Sequence, residues 1–586
     1  MTTIEEFNKI PENWHELFYQ DSDERTINGK KVQPEADVFE LGLALGGTVS
    51  AGAYTAGVLD FLIEALDAFE KYDGPDKPTW KVKIKVMTGT SGGGVNAALM
   101  ARALSYQFPP IRASSSLAEQ QQNPFYSIWV KDLDIMGMLA VDDLTAGSKP
   151  VSFLNSKPLE DCAIKIADYE AHYPANKQPR AYIDNPLPIF LTLTNLRGIP
   201  YKIDMGNGLS QEYVDHADYV RLSVFTQGAN ASYTLRPDEF GVSHDLVDLT
   251  SGYILWARAV KFALGTGAFP FGFPEQALSR PLAHYRYRPI FISDTANPKK
   301  LTATFGQVKW EAFITPHTTD NTLIEEYHFP AADGGLMDNE PIELCRRTLA
   351  GYAANNPRDG SLAKRAVLLI DPFADKATLG GETVYSLFAS IMPVINSWKD
   401  QARYDSRDLL LAEDKNVFSR FMITAKDTNR NRIGGAAIAC ACADAFGGFL
   451  SESFRHHDYL LGRKNCQDFL RNEFYVYDNN PLVKDWAKKY PTHFSDNNVP
   501  LIPLYGLCKT DEQVTGYPSG QFDFTDDFKT ALQNRLGKLV NAIEDNLHIN
   551  GLLGMVIKPI VGMKEKDLTE TVINWLDQSL KEWGLR

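Results

Sequence analysis

Three short segments hold residues whose types and spacing suit acyl transfer. Residues 89–93 read Gly-Thr-Ser-Gly-Gly, a G-x-S-x-G pattern. In such a pentapeptide the serine sits on a sharp turn between a strand and a helix. Small neighbours let the backbone fold tightly and leave the hydroxyl at the positive end of the helix. Ser91 is therefore a candidate nucleophile, with Gly89, Thr90, Gly92 and Gly93 as its elbow. The plainer alternative is a tight turn with a capping serine. No Gly-Lys-Ser/Thr follows the glycines, which disfavours a phosphate-binding loop. Upstream, Leu45-Gly46-Gly47-Thr48-Val49-Ser50 offers Gly46, Gly47 and Thr48 as backbone N–H donors for a developing oxyanion, or forms an ordinary glycine-rich turn. Asp333-Gly334-Gly335 follows Tyr327-His328-Phe329 and puts a carboxylate in a tight turn at a strand end, suited to a base. A structural turn aspartate has the same pattern.

The elements around these segments set the fold class. Phe39–Leu45 fits a buried strand, and Leu59, Leu62, Ile63 and Leu66 mark one face of a following helix. Lys81–Met87 alternates as a second strand, and residues 92–104 read as a helix. This rhythm implies right-handed crossovers and a parallel sheet. Residues 189–195 and 366–371 are further strands. Residues 105–180, with the polar run 114–124, read as a surface insertion, and 238–248 as loop and edge structure. After Pro372 the pattern turns mostly helical. Phe528, Leu532, Leu536, Leu539 and Ile543 share one face over 526–546. Leu568, Val572, Leu576 and Trp583 recur over 567–584.

Composition narrows the partners. The chain has 586 residues, 44% hydrophobic and 23% charged, as ordinary soluble globular proteins do. A net charge of −15 excludes nucleic acid as a partner and gives no general attraction to anionic lipid. Any membrane contact must be local and apolar. The six cysteines are scattered, which predicts buried free thiols in a reducing compartment. The N-terminus lacks a signal peptide's basic and apolar regions, and no run approaches the roughly 18 apolar residues of a membrane span. A cytoplasmic location is expected. No metal or other cofactor is expected, since the adjacent His456, His457 and Asp458 point in different directions on a helix.

Together the three segments resemble the patatin-like phospholipases, in the long bacterial form. That family pairs an early glycine-rich loop, a G-x-S-x-G serine and a later Asp-Gly-Gly or Asp-Gly-Ala, in this order. Leu264–Glu275 is similar to the family's small-residue, proline-rich stretch, Asn339-Glu340-Pro341 to its Asn-x-Pro, and 446–470 to a segment of its longer bacterial members. Two positions depart: Thr48 stands at the usual third glycine and Ser50 at the usual Arg or Lys. The resemblance implies a three-layer α/β/α fold with a mainly parallel sheet over 38–375. An N-terminal extension, 1–37, precedes it. A mostly helical region, 376–586, packs on or beside it. It also implies a lipid acyl hydrolase of phospholipase A or esterase type, acting on lipid or phospholipid with peripheral membrane contact.

In that family's mechanism Ser91 and Asp333 form a dyad and pass through an acyl-enzyme. Gly46, Gly47 and Thr48 form the oxyanion hole, and Gly334 and Gly335 support the aspartate turn. The alternatives are a triad using His328, His456 or His457, a binding or scaffold protein of low activity, and acyl transfer to an alcohol. Phe269, Phe271 and Phe273 are either a membrane-docking rim or core.

Overall fold

The computed structural model describes residues 35–145, 151–228, 233–243, 252–293, 301–305, 308–314, 323–350, 357–373, 420–546 and 565–586, with 25–27, 30–32 and 397 as isolated pieces. All but nine residues of the N-terminal extension read over 1–37 lie outside them, as does 244–248 of the loop read over 238–248. Strand β1 (Val38–Leu45) leads through a short loop into helix α1 (Gly52–Lys71). Strand β2 (Lys81–Gly89) leads into α2 (Gly92–Ala103). Helix α3 spans Lys157–Ala167. A long hairpin, β3 (Leu187–Gly206) and β4 (Leu209–Phe225), precedes β5 (Glu239–Ser243), β6 (Tyr253–Ile254) and α4 (Trp256–Thr266). Then come β7 (Gln276–Pro281), β8 (Glu326–Asp333), α5 (Ile342–Ala350), β9 (Arg365–Ile370) and β10 (Arg420–Ile423). Helices α6 (Glu452–Asn472), α7 (Asp526–Asn546) and α8 (Glu565–Glu582) are the long helices of the C-terminal region.

The central sheet runs β10-β9-β1-β2-β3-β4-β5-β6. All neighbours on this path are parallel except the β3–β4 hairpin, and β8 joins antiparallel to both β3 and β7. Alternation along β1 gives the layers. Leu41, Leu43 and Leu45 enter the main core with α1 and α2, while Ala44 faces a second cluster with Ile342, Cys345 and Leu349 of α5. The fold is thus the three-layer α/β/α arrangement with a helical C-terminal region. The chain beyond residue 375 supplies the edge strand β10 and the helix α6 that covers α1. All six cysteines are buried and unbridged.

Three sequence expectations change. Residues 105–180 are not a surface insertion throughout: Phe125, Tyr126, Ile128, Trp129 and Val130 are buried in the core. The polar run before them hides this short apolar stretch. Residues 239–243, read as loop and edge structure, form a fully buried strand inside the sheet. Against the expectation that no run approaches a membrane span, Val49–Lys71, which is α1 with the turn before it, is long and apolar enough to cross a membrane, yet fifteen of the twenty residues of α1 are buried in the core.

Helix α6 approaches α1 closely enough that a side chain at Gly462 would fall on Tyr54 O. The next residue, Arg463, is fully buried and pairs with Asp60 at 2.5 Å, Glu64 at 2.6 Å and Glu512 at 3.0 Å. Asp60 also accepts from Ile111 N–H and Asn123 Nδ2, so one cation ties α1, residues 109–123, α6 and the 512 loop. Removing one member of such a group leaves buried charge uncompensated. Arg463→Met is expected to lower unfolding free energy by about 3–5 kcal/mol, read from the urea midpoint. An unchanged midpoint would show that the network contributes nothing net.

Candidate active site

Two strands meet end to end on one edge of β3. Strand β2 pairs through Met87–Gly89 with Ile189–Leu191, and β8 pairs antiparallel through Ala331–Asp333 with Asn195–Leu193. Their last residues therefore face each other across Thr192. Ser91 leaves β2 into α2 with φ 52° and ψ −130°, a strained conformation for a side-chain-bearing residue. Its Oγ donates to Asp333 Oδ2 at 2.7 Å, although the two residues are 242 positions apart. The other carboxylate oxygen, Oδ1, accepts from Gly335 N–H at 2.7 Å. Asp333 N–H donates to Ala268 O at 2.9 Å, and its carbonyl accepts from Thr194 Oγ1 at 2.7 Å. The carboxylate is thus held from both sides, and both residues of the pair are buried.

Thr90, Thr192 and Thr266 hold the elbow. Thr90 and Thr192 share a hydroxyl hydrogen bond of 2.7 Å, Thr90 Oγ1 also donates to Asp338 O at 2.8 Å, and Ser91 N–H donates to Thr266 Oγ1 at 2.9 Å. Thr192 and Thr266 did not stand out in the sequence, since a threonine in a strand or at a helix end is common. Trp129, from the stretch read as an insertion, packs behind Gly52 and Gly92.

The loop after β1 lies beside the serine: a β-carbon on Gly47 would stand 3.5 Å from Ser91 Cβ. Its N–H groups are not equivalent. Gly46 N–H donates to Ile370 O at 3.0 Å and Gly47 N–H to Asn339 O at 3.1 Å. Thr48 N–H and Gly92 N–H have no hydrogen-bond partner among the described residues. The buried Thr48 Oγ1, beside Gly92, is likewise without one. Ser50 is fully buried and bonded to the 440–448 segment of the C-terminal region.

The named histidines lie elsewhere. His328 is exposed, and five residues of strand put it about 17 Å back along β8 with its side chain on the opposite face from Asp333. His456 Nδ1 bonds Tyr126 Oη at 2.7 Å, and burial holds its pKa below the ordinary value. His457 Nδ1 is spent on Asp458 at 2.7 Å. Burial pushes the Cys440 thiol up and that of Cys442 to about 12, so neither is a thiolate at neutral pH. Among the described residues no group of three His, Cys, Asp or Glu could hold a metal. The three phenylalanines divide. Phe273 and Phe269 pack on Phe446, whereas Phe271 is 63% exposed.

The profile described as "Patatin-like phospholipase" matches residues 43–346, just over half of the chain. The chain belongs to this family. The patatin-like phospholipases are lipid acyl hydrolases, and in that general sense so is this protein. "Uncharacterized protein y4iI" of Sinorhizobium fredii (strain NBRC 101917 / NGR234) is 30% identical over 514 residues, covering 80% of this chain and 71% of its own. A solved structure, "Crystal structure of VipD from Legionella pneumophila", aligns over 95% of this chain and 92% of that one at 11% identity. Its TM-score is 0.17, at which no structural conclusion follows.

The end-to-end arrangement of β2 and β8 leaves no space behind Asp333. A β-carbon on Gly334 would fall on the Thr192 hydroxyl and lie 2.5 Å from the Thr192 carbonyl oxygen, which is backbone and cannot yield. Gly334→Ala is therefore expected to displace Asp333 from Ser91 while far-ultraviolet circular dichroism stays the same. Hydrolysis of a short p-nitrophenyl ester should fall on the order of 100-fold, as misplacement near 1 Å does. Full activity in the variant would show that this register does not set the pair.

Proposed function

We propose that the protein is a serine carboxylic-ester hydrolase of phospholipase A or esterase type, using Ser91 and Asp333 as a dyad. The observation that carries this reading is the 2.7 Å hydrogen bond from Ser91 Oγ to Asp333 Oδ2, at the N-terminus of α2. Asp333 accepts the serine proton as Oγ attacks the ester carbonyl carbon. The carbonyl π electrons move to oxygen, giving a tetrahedral oxyanion. Collapse expels the alcohol, which takes the proton from Asp333, and leaves an acyl-enzyme. Water then attacks, giving its proton to Asp333. As this second intermediate collapses, that proton returns to Ser91 Oγ and the fatty acid leaves.

The oxyanion needs donors that are unspent before reaction. Gly46 and Gly47 already use their N–H groups within the fold. We therefore assign the hole to Thr48 N–H and Gly92 N–H, with the Thr48 hydroxyl as a third donor. In this assignment the threonine at the family's third glycine adds a donor, and Gly46 and Gly47 shape the loop.

A lipid must leave its bilayer to reach a buried serine. Phe271, Phe153 and Val151 are all more than half exposed, and Phe153 N–H to Phe271 O at 2.7 Å sets the first two side by side. With a net charge of −15, this apolar rim is the proposed contact with a membrane surface.

Two sets of variants test the reading. Ser91→Ala and Asp333→Asn should each reduce ester hydrolysis by at least about 10³-fold, because the pair acts as a unit. His328→Ala, His456→Ala and His457→Ala should keep most activity per folded molecule. A histidine variant as inactive as Asp333→Asn would replace the dyad by a triad. Phe271→Ser should slow hydrolysis of vesicle phospholipid about tenfold, roughly the partition value of one phenyl ring, and leave a soluble short ester nearly unchanged. Equal loss on both substrates would reject the membrane role.

A further inference from the structure

Ser50 stands two residues after Thr48, and the partners of its hydroxyl lie at the far end of the chain. Its N–H donates to Ala445 O at 3.1 Å, and its hydroxyl donates to the same oxygen at 2.5 Å, with Cys440 O at 3.3 Å as a second acceptor. The hydroxyl oxygen accepts from Gly448 N–H at 2.9 Å, 398 residues away. From this geometry we infer that residues 439–448 are a clamp holding the oxyanion loop in its working conformation. Ser50 is then a positioning residue, and the C-terminal region is an obligate part of the active site. The inference rests on the reading of Ser91 as nucleophile.

Strain on both sides of the contact supports a clamp over ordinary packing. Val49, between Thr48 and Ser50, has φ 46°, an outlier for a β-branched residue. Across the contact, Ala443, Asp444 and Ala445 have φ of 52°, 52° and 71°, three successive left-handed residues without a glycine. Such backbone persists only where its surroundings over-determine it. Ser50 follows Val49 in the chain and hydrogen-bonds Ala445 O, which couples the two strained stretches.

The clamp is itself anchored from behind. Asp458 on α6 accepts from Ala439 N–H at 2.9 Å and Cys440 N–H at 2.7 Å. Arg455, also on α6, donates to Gly448 O at 2.6 Å, and Ser579 on α8 accepts from Ala443 N–H at 2.8 Å. Phe446 at the clamp's edge packs on Phe269 and Phe273. Phe269 follows Ala268, whose carbonyl holds Asp333 N–H. The same segment thus touches the oxyanion loop through Ser50 and the support of the carboxylate through Phe446.

Full-length Ser50→Ala and Gly448→Ala test the clamp from opposite sides. A β-carbon on Gly448 would lie 2.6 Å from Ser50 Oγ and 2.9 Å from Ser50 Cβ, forcing the contact open. Each variant should lower kcat on a short ester, and the labelling rate of Ser91 by a fluorophosphonate, by about 10- to 100-fold, the range of a misplaced oxyanion donor. KM should stay within about threefold, as for an interaction made in the transition state. The acid limb of the kcat–pH profile should not move, because Asp333 is untouched. The double variant should be no worse than the poorer single. Amide hydrogen exchange over residues 46–52 should accelerate in both, and also in Asp458→Asn, which loosens the clamp from behind without entering the contact. Unchanged exchange in that segment, or near-normal kcat with only a lowered Tm, would overturn the clamp. Ser91→Ala in the same assays separates the two ideas. If it labels and hydrolyses like the wild type, the nucleophile is wrong, and exchange over 46–52 still decides the clamp.

Discussion

The arrangement depends on a single edge of strand β3. Parallel β2 ends on that edge opposite Leu191, and antiparallel β8 ends on it opposite Leu193. The two strands are collinear and run toward each other, so their terminal turns point into the same gap. Sheet register is discrete, and a slip of one residue turns every side chain to the other face. The Ser91–Asp333 contact is therefore set by backbone pairing and not by flexible side chains reaching for each other. Thr192 fills the gap, bonding Thr90 beneath the serine.

Around that edge the fold brings several strand ends together, on the side of the sheet where β1, β2 and β9 end and where α/β proteins commonly bind ligands. The loop after β1 is drawn against β9 by Gly46 N–H and against the turn after β8 by Gly47 N–H. Those two bonds leave Thr48 as the residue that presents free donors. Within one short loop the two glycines spend their N–H groups on holding it, and the N–H and hydroxyl of Thr48 stay unspent among the described residues.

The C-terminal region belongs to the same structure. It contributes an edge strand to the sheet, covers the core helix α1 and places the buried Arg463 among three carboxylates. It also bonds the loop after β1 through Ser50. Burying these polar groups is tolerable because each is met by a partner from a distant part of the chain. A hydroxyl suffices at residue 50 because its partners are backbone groups one hydrogen bond away.

Local patterns made part of this legible in the residues alone. The alternation of β2, the helix-forming run after it and the small residues around Ser91 specify a strand–turn–helix elbow by short-range sterics. Asp-Gly-Gly at a strand end specifies a tight turn. The ordered occurrence of these segments pointed to the α/β/α architecture and the family. Pattern could not reveal that residues 125–130 are core, because a polar run dominates their window. Nor could it show that 239–243 enters the sheet, since burial on both faces is a property of neighbours. It did not show that the N–H groups of Gly46 and Gly47 are spent and that of Thr48 is not, because this depends on carbonyls of residues 370 and 339. Ser50 stood out only as a departure from the family pattern, and Thr192 and Thr266 not at all, because their hydroxyls matter only through what lies opposite. The sequence by itself determined the turns, the periodicities and the chemical groups available. Only the tertiary structure decided which groups meet and which hydrogen-bonding capacity remains unspent, because those depend on sheet register and on contacts between residues hundreds of positions apart.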